Sequence, residues 1–157
     1  MSVRRKRRDL NDINSALKDA RRYLRYRIRS KNELGSYLKK RGYPEEIIES
    51  VLKKLEDEGI LDDEKFAYLY TLDSIRLKFK GPRIVKKELK ELGVDEKIVQ
   101  EAIMRALNEL DLVEILSFYS RKLENLDKRG LRNYLYSRGF EQEQVEKIEE
   151  LLRSGGE

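Results

Sequence analysis

The chain has 157 residues, of which 41% are charged and 39% are hydrophobic, with two prolines and nine glycines. This composition is typical of amphipathic helices with large solvated faces, and it argues against a thick globular core. The chain contains no Cys and no His, which excludes a disulfide framework, a Ser-His-Asp arrangement and metal ligation by thiolate or imidazole. The absence of Cys indicates a reducing, cytoplasmic setting. No apolar run approaches the length of a membrane span, so we predict no membrane association.

The positive charge is concentrated at the N-terminal end. The formal net charge is +5, residues 4–41 carry a net charge of +11, and the rest of the chain therefore carries −6. A basic head of this size indicates contact with a polyanion or with an acidic protein surface. We predict a flexible basic arm over residues 1–11. Its candidate contact residues are Arg4, Arg5, Lys6, Arg7 and Arg8.

The first helical patterns follow the arm. Apolar residues recur at helical spacing from Ile13 to Ile28 and predict the first helix. Ser30 and Glu33 form a capping-box pattern, which predicts the start of a second helix. Gly42 is the expected left-handed residue that ends this helix. A third apolar helical pattern comes directly after it.

The pattern of the second helix occurs three times along the chain. In each copy an apolar residue is followed by a Leu four positions later and by a Gly after four more; the glycines are Gly42, Gly93 and Gly139, at intervals of 51 and 46 positions. Self-similarity at this period predicts a helical repeat whose units bury apolar faces against their neighbours. We therefore predict an all-α fold of three tandem three-helix repeats that form an elongated, curved array. The predicted repeats span residues 12–59, 60–109 and 110–157. The alternative is a single compact bundle.

Acidic residues mark helix starts in the second and third repeats. Asp62, Asp95, Asp111 and Asp127 each precede an apolar helical pattern and are predicted N-caps. The Gly-Pro-Arg sequence at 81–83 resembles a phosphate-binding turn at a helix start. It lacks the Gly-rich loop and the Lys-Ser/Thr ending of a nucleotide site, which favours simple helix initiation.

The candidate contact residues of the folded region are basic. Lys18, Arg22, Arg25 and Arg29 follow a 4-3-4 spacing, which on one helix places them roughly 130° from the apolar face. This stripe indicates contact with DNA phosphates or with acidic loops of a partner protein. The alternative is a face that only keeps the protein soluble. Arg83 is a fifth candidate, because it projects from a predicted helix start.

Several other polar and aromatic residues are predicted to be structural. Arg41 and Arg138 lie at equivalent helix C-terminal turns, where a cation favours the helix dipole by about 0.3–1 kcal/mol. Tyr37 and Tyr134 occupy equivalent repeat positions, which indicates packing between helices. The adjacent carboxylates at 62–63 point about 100° apart on a helix, so capping explains them better than acid/base catalysis.

Three motifs in series resemble the RecX family. The first comprises Arg27, Arg29, Ser30, Glu33 and Leu34, similar to that family's Arg-x-Arg-Ser-x-x-Glu-Leu signature. The second runs from Gly59 through Asp62, Asp63 and Phe66 to Ala67. The third comprises Gly81, Pro82, Arg83 and Ile84, followed by Glu88, Leu89 and Gly93. The likeness covers residues 16–152, and the motifs occur in the order typical of the family.

The resemblance implies three tandem three-helix repeats, the RecA recombinase filament as partner, and neither catalysis nor a cofactor. It also implies binding in the groove of the RecA–DNA filament and inhibition or disassembly of that filament. From the charge and the lack of a heptad seam we expect a monomer. Two other hypotheses stay open. A stand-alone helical DNA-binding protein would bind naked DNA with steep salt dependence, and a helical scaffold would bind some other protein.

Overall fold

The computed structural model describes residues 9–155, and these residues form nine helices and no strand. The helices are α1 (Ile13–Leu24), α2 (Lys31–Lys40), α3 (Glu45–Asp57), α4 (Asp63–Lys78), α5 (Pro82–Glu91), α6 (Glu96–Glu109), α7 (Leu112–Glu124), α8 (Lys128–Ser137) and α9 (Gln142–Ser154). The all-α prediction is confirmed. None of these helices combines the length and the apolar character needed to cross a membrane.

The described residues divide into two compact units. The first contains the residues up to Phe66 together with Leu92–Val94, and the second contains Ala67–Glu91 and the residues from Asp95 onward. Helices α1, α2 and α3 pack against one another in the first unit; in the second, α5 packs on α6, and α9 packs on both α7 and α8. The repeat boundaries at 59/60 and 109/110 remain a prediction.

The core of the first unit is built from small residues on α1 and branched residues on α2 and α3. Ala16 and Ala20 are fully buried, and their small side chains leave room for the neighbouring helices to approach α1. The rest of this core consists of Leu17, Leu34, Leu38, Tyr43, Ile48, Val51, Leu55 and Leu61. Gly42 follows α2 with a φ of 95°, which confirms the predicted left-handed stop.

The first helix is shorter than its apolar pattern predicts. Helix α1 ends at Leu24, and Ile28 lies outside it with 47% of its surface exposed. The capping box at Ser30 is formed as predicted, with Ser30 in an extended conformation. The backbone must therefore leave the helix before Ser30. As a result, Ile28 does not lie on the buried face of α1.

An aromatic cluster organises the second unit around the end of α4. Phe79 is buried, and its ring stacks on Tyr119 at 4.3 Å and packs on Phe140 at 4.9 Å between centroids. Tyr134 stacks on the same ring at 6.4 Å, which confirms its predicted packing role. Phe79 has a φ of 52°, a conformation that L residues rarely adopt and that the surrounding rings stabilise by burial.

Most predicted caps are present. The side chains of Asp62, Asp111 and Asp127 accept hydrogen bonds from backbone N–H groups in the first turns of α4, α7 and α8. Asp95 lies at the N-cap position of α6 as predicted, but its side chain makes no capping hydrogen bond. Glu96, in the first turn of α6, pairs with Lys86 and Lys90 of α5.

The glycine turns dock at equivalent positions in the two units. In the first unit, the Ser30 hydroxyl donates to the Leu92 carbonyl at 2.8 Å. In the second, the Gly81 N–H donates to the Arg138 carbonyl at 2.6 Å. Ser30 and Gly81 are 51 positions apart, and Leu92 and Arg138 are 46 apart, as are the repeat glycines. In both cases, the start of the second helix of one predicted repeat is hydrogen-bonded to the glycine turn of the next predicted repeat.

Candidate partner-binding surface

The basic residues of the predicted arm, Arg4, Arg5, Lys6, Arg7 and Arg8, lie outside the described residues, which begin at position 9. Their part in binding stays a prediction.

Three of the predicted contact residues form an exposed cationic surface on the first unit. Lys18 and Arg22 lie on α1, and Arg25 is its C-cap residue. All three are exposed, and within residues 9–155 none has an ion-pair or side-chain hydrogen-bond partner. The neighbouring Arg21, by contrast, pairs with Glu58 at 3.0 Å. We call Lys18, Arg22 and Arg25 the basic face.

Arg29 does not belong to this face. It follows the end of α1, and only 16% of its side chain is exposed. Its guanidinium lies 4.1 Å from the centroid of the Tyr23 ring and 3.7 Å from Glu33. The prediction that Arg29 extends the helical stripe is wrong, because that spacing aligns residues only while the helix continues. Arg29 stabilises the connection between α1 and α2 instead.

Four residues of the first motif hold this connection by contacts with one another, and we call them the clamp: Arg27, Arg29, Ser30 and Glu33. Arg27 pairs with Glu33 at 2.5 Å and also donates to the Ile28 carbonyl at 3.0 Å. Glu33 accepts from the Ser30 N–H at 3.2 Å, and the Ser30 Oγ accepts from the Glu33 N–H at 3.1 Å. Glu33 therefore bonds Arg27, Arg29 and Ser30 at once. Its side chain is only 11% exposed, which strengthens these contacts over those of a surface pair.

Stacked tyrosines support the same clamp. The Tyr23 and Tyr37 rings stack at 4.0 Å with an interplanar angle of 5°, which confirms the predicted packing role of Tyr37. Arg29 covers the Tyr23 ring. The clamped connection nevertheless presents Tyr26 and Ile28 to solvent, with exposed fractions of 81% and 47%. The apolar spacing predicted Ile28 on the buried helix face, and no pattern in the sequence distinguished Tyr26 from the other tyrosines.

Arg83 and the helix start around it are engaged within the second unit. The Arg83 N–H donates to the Gly139 carbonyl at 3.0 Å, and its Nη2 donates to the Tyr136 carbonyl at 2.7 Å. The N–H of Gly81 is also used, by Arg138. Helix initiation is therefore the role of this turn, and the two donors that a phosphate would need already have acceptors.

The two cations at equivalent helix ends are structural, as predicted, but through other contacts than the dipole of their own helices. Arg41 lies 3.2 Å from Asp19, whose carboxylate is buried. Arg138 donates to the Phe79 carbonyl at 3.0 Å and to the Lys78 carbonyl at 2.5 Å. Arg138 thus satisfies orphan carbonyls at the end of α4, a helix from another part of the chain.

The carboxylates do not converge on a chemical site. Within residues 9–155, no group of three or more acidic side chains is arranged to hold a metal ion. Asp62 caps α4, while Asp63 accepts from the Lys31 N–H at 2.9 Å. Burial raises the pKa of Asp63 above the usual value for an aspartate. Both residues serve helix starts, as predicted.

One open groove lies in the second unit, between α7, α8 and α9. It has a volume of about 610 Å³, and Leu126, Leu131 and Leu152 line it beside the ion pair of Arg132 with Glu149. That pair lies 2.5 Å apart and lowers the pKa of Glu149. The groove contains no cluster of nucleophilic or metal-binding groups.

These features define a class of small all-helical proteins built from tandem three-helix domains, with an exposed basic surface on the first. Residues 16–55 match the family model for the first three-helix domain of RecX, and residues 62–103 match the model for the second. The chain belongs to the RecX family of regulatory proteins, as the sequence motifs predicted.

Relatives and solved structures agree with this assignment. The chain is 45% identical to a regulatory protein RecX of Thermotoga maritima over 138 residues, which is 88% of this chain and 84% of the relative. It is 44% identical to that of Thermotoga petrophila over 157 residues, covering 98% and 94% of the two chains. The crystal structure of RecX from Lactobacillus salivarius is similar with a TM-score of 0.76 at 26% identity, over 90% of this chain and 96% of that chain.

Proposed function

We propose that this chain binds the RecA recombinase filament and inhibits its recombinase and ATPase activities during DNA repair. Membership of a family of regulatory proteins supports this proposal, and the unpaired basic face is the observation that carries it. A folded surface that keeps three cations without acidic partners favours a partner that supplies negative charge. A DNA-bearing filament supplies such charge from DNA phosphates and from acidic loops.

The proposed contact surface comprises the basic face on α1 and the basic residues of the arm. The net charge of +11 over residues 4–41 would steer the first repeat toward the filament. Arg83, in the second unit, is a separate candidate contact through the part of its guanidinium that does not bond Tyr136. We further propose that the chain acts as a cytoplasmic monomer of three repeats, bounded at residues 12–59, 60–109 and 110–157.

A binding experiment with matched variants tests the proposed surface. Labelled single-stranded DNA is titrated with the protein, once naked and once coated with recombinase and a non-hydrolysable nucleotide. The triple substitution Lys18→Ala, Arg22→Ala, Arg25→Ala should weaken binding to the coated DNA by about 10-fold or more, given about 0.5 kcal/mol for each exposed charge contact. Wild-type protein that does not bind the coated DNA at saturating concentration would refute the proposal.

The control variant removes the same number of charges from the same unit. Lys39, Lys40 and Lys53 are exposed, and within the described range none has an ion-pair partner. Their replacement by Ala changes the net charge equally but removes no residue of the basic face, so the affinity should stay within about 2-fold of the wild type. An equal loss in both triple variants would mean that only net charge matters, and would contradict a specific basic face.

A stand-alone DNA-binding protein is the second candidate, and the unpaired basic face is also the observation that favours it. This function predicts binding to naked single-stranded DNA whose logarithmic salt dependence becomes shallower by about 2 in the triple variant, at about 0.7 per lost cation. Equal affinity for naked and coated DNA would favour this candidate. Higher affinity for the coated DNA favours the filament regulator.

A further inference from the structure

Two apolar side chains in the first unit are exposed on a backbone that is held in place. Tyr26 is 81% exposed and Ile28 is 47% exposed. Isolated exposed apolar residues are common, so exposure alone decides nothing. The distinguishing feature is that contacts of Arg27, Arg29 and Ser30 hold the segment between α1 and α2 in place.

Three residues of this segment make the fixing contacts. Arg27, between the two exposed residues, pairs with Glu33 and donates to the Ile28 carbonyl. Arg29, directly after them, stacks on Tyr23. Ser30 then binds Glu33 and the distant Leu92 carbonyl. These contacts hold the backbone that carries Ile28 and follows Tyr26.

Preorganised aromatic and aliphatic side chains have the properties of interface hot spots. A rigid anchor loses little conformational entropy on binding, and tyrosine is enriched among residues that dominate interface energies. The cations of the basic face lie directly before the anchor in the chain, and Arg25 adjoins Tyr26. An apolar anchor beside unpaired cations is complementary to an apolar pocket with an acidic rim.

The exposed chemistry favours a protein surface over a nucleic acid. A base can stack on Tyr26, but the aliphatic side chain of Ile28 offers no π-face. The two guanidinium groups that flank Ile28, those of Arg27 and Arg29, are both committed to Glu33 and are poorly placed to bind phosphates. Ile28 is therefore an apolar side chain between two acid-paired cations, which favours a protein contact there, whereas Tyr26 adjoins the unpaired Arg25.

We propose that Tyr26 and Ile28 form an apolar anchor that inserts into an acidic-rimmed pocket on a protein subunit of the regulated filament. This proposal rests on the proposed function and deepens it by naming the chemistry of the contacted surface. The basic face supplies long-range attraction, and the anchor supplies the short-range contact that sets the rate of dissociation.

The test measures affinity for recombinase-coated DNA after removal of the anchor. The double substitution Tyr26→Ala, Ile28→Ala should weaken binding by about 30-fold, the size expected for a hot spot. The loss should be the same at low and high salt, because an apolar contact is not screened. The loss caused by the basic-face variant should instead shrink as salt rises. Tyr26→Phe should bind like the wild type if the ring is the anchor.

The control deletes a matched pair elsewhere. Phe118 and Leu77 are 73% and 68% exposed in the second unit, so Phe118→Ala, Leu77→Ala removes one aromatic and one aliphatic exposed side chain. The control should bind like the wild type, and all variants should keep the wild-type unfolding midpoint. Tyr26→Gln alone, which keeps a polar surface residue, should reproduce most of the loss if the double variant unfolds.

Three outcomes would overturn the anchor. Wild-type affinity in the double variant would do so, while leaving the proposed function intact. Equal losses in the double variant and its control would show a general effect of apolar surface. An equal loss of affinity for naked single-stranded DNA would assign Tyr26 to base stacking. Failure of the wild-type protein to bind coated DNA would instead remove the proposed function itself.

Discussion

Glu33 is the residue on which the connection between α1 and α2 depends. Its carboxylate pairs with Arg27 and Arg29 and accepts from the Ser30 N–H, all within one helical turn of the α2 start. The family motif around it is therefore explained by structure: two arginines and one serine converge on one glutamate. A residue with several partners in a partly buried site is sensitive to truncation, because each partner is left unsatisfied.

Truncation of Glu33 should destabilise the first unit. We expect Glu33→Ala to lower the free energy of unfolding by about 1–3 kcal/mol, and Glu33→Gln by less, because Gln still accepts from the Ser30 N–H. Urea denaturation measures both changes. Glu45→Ala, at an exposed position in the first turn of α3, is the control. A loss no larger than that of the control would contradict the clamp.

The ionised Asp63 is expected to lower the free energy of unfolding, whereas Glu33 raises it, and the effect of Asp63 should depend on pH. Burial raises its folded-state pKa, so its ionisation opposes folding, and this cost grows as the pH rises through the folded pKa. Asp63→Asn removes the charge but keeps an oxygen that can accept from the Lys31 N–H. The variant should be more stable than the wild type at pH 7. The difference should vanish when the pH falls below the usual pKa of an aspartate, because Asp63 is then protonated in both the folded and the unfolded state. Thermal unfolding between pH 3 and pH 7 measures it; a less stable variant at pH 7 would contradict the argument.

At the scale of elements, the glycine turns decide how consecutive helices dock. Gly81 and Gly139 approach so closely that a Cβ on Gly81 would overlap the backbone of Gly139 and Phe140. The Gly139 carbonyl also accepts from the Arg83 N–H. Only a residue without a side chain permits this contact, which explains the glycine of the third motif.

Substitution of Gly81 should therefore lower the free energy of unfolding, whereas substitution of Gly35, the control glycine, should raise it. Gly81→Ala should lower the free energy of unfolding by about 1–3 kcal/mol, because the added methyl group overpacks the contact. Gly35 lies inside α2, and a Cβ there would make ordinary contacts at 3.6 Å from Leu52. Gly35→Ala should raise stability by about 0.5–1 kcal/mol. Similar effects of the two substitutions on denaturant midpoints would refute the docking account.

The sequence predicted the elements whose signals are local. The capping box at Ser30, the left-handed Gly42 and most aspartate caps depend on residues a few positions away, and they were predictable for that reason. The exact end of α1 was not, because the apolar spacing continues to Ile28 whereas the helix ends at Leu24. The same limit applies to Arg29, whose helical spacing continues although the helix does not.

The candidate surface was predictable in part for the same reason. Lys18 and Arg22 lie on α1, so their exposure follows from periodicity. The partner of Arg83 lies 53 positions away, and the exposure of Tyr26 depends on the clamp made by its neighbours. Composition gave the excess of cations, but only the structure separates those with acidic partners from those without.

At the scale of the whole molecule, the charge asymmetry and the tandem helical domains lead to one functional expectation. A basic first repeat followed by a mildly acidic remainder favours attachment through one end to a charged filament. Under the proposed function, the chain would act on the assembled filament and would not compete for free DNA. Its effect should therefore persist when more DNA is supplied.

The most direct test is the DNA-dependent ATPase of the recombinase from the same organism, titrated with this protein in excess single-stranded DNA. The account predicts inhibition at sub-stoichiometric ratios of protein to recombinase, unchanged when the DNA concentration is doubled. The basic-face variant should require about 10-fold more protein for the same inhibition. No inhibition, or inhibition that extra DNA abolishes, would contradict regulation of the filament and leave competition for DNA as the explanation.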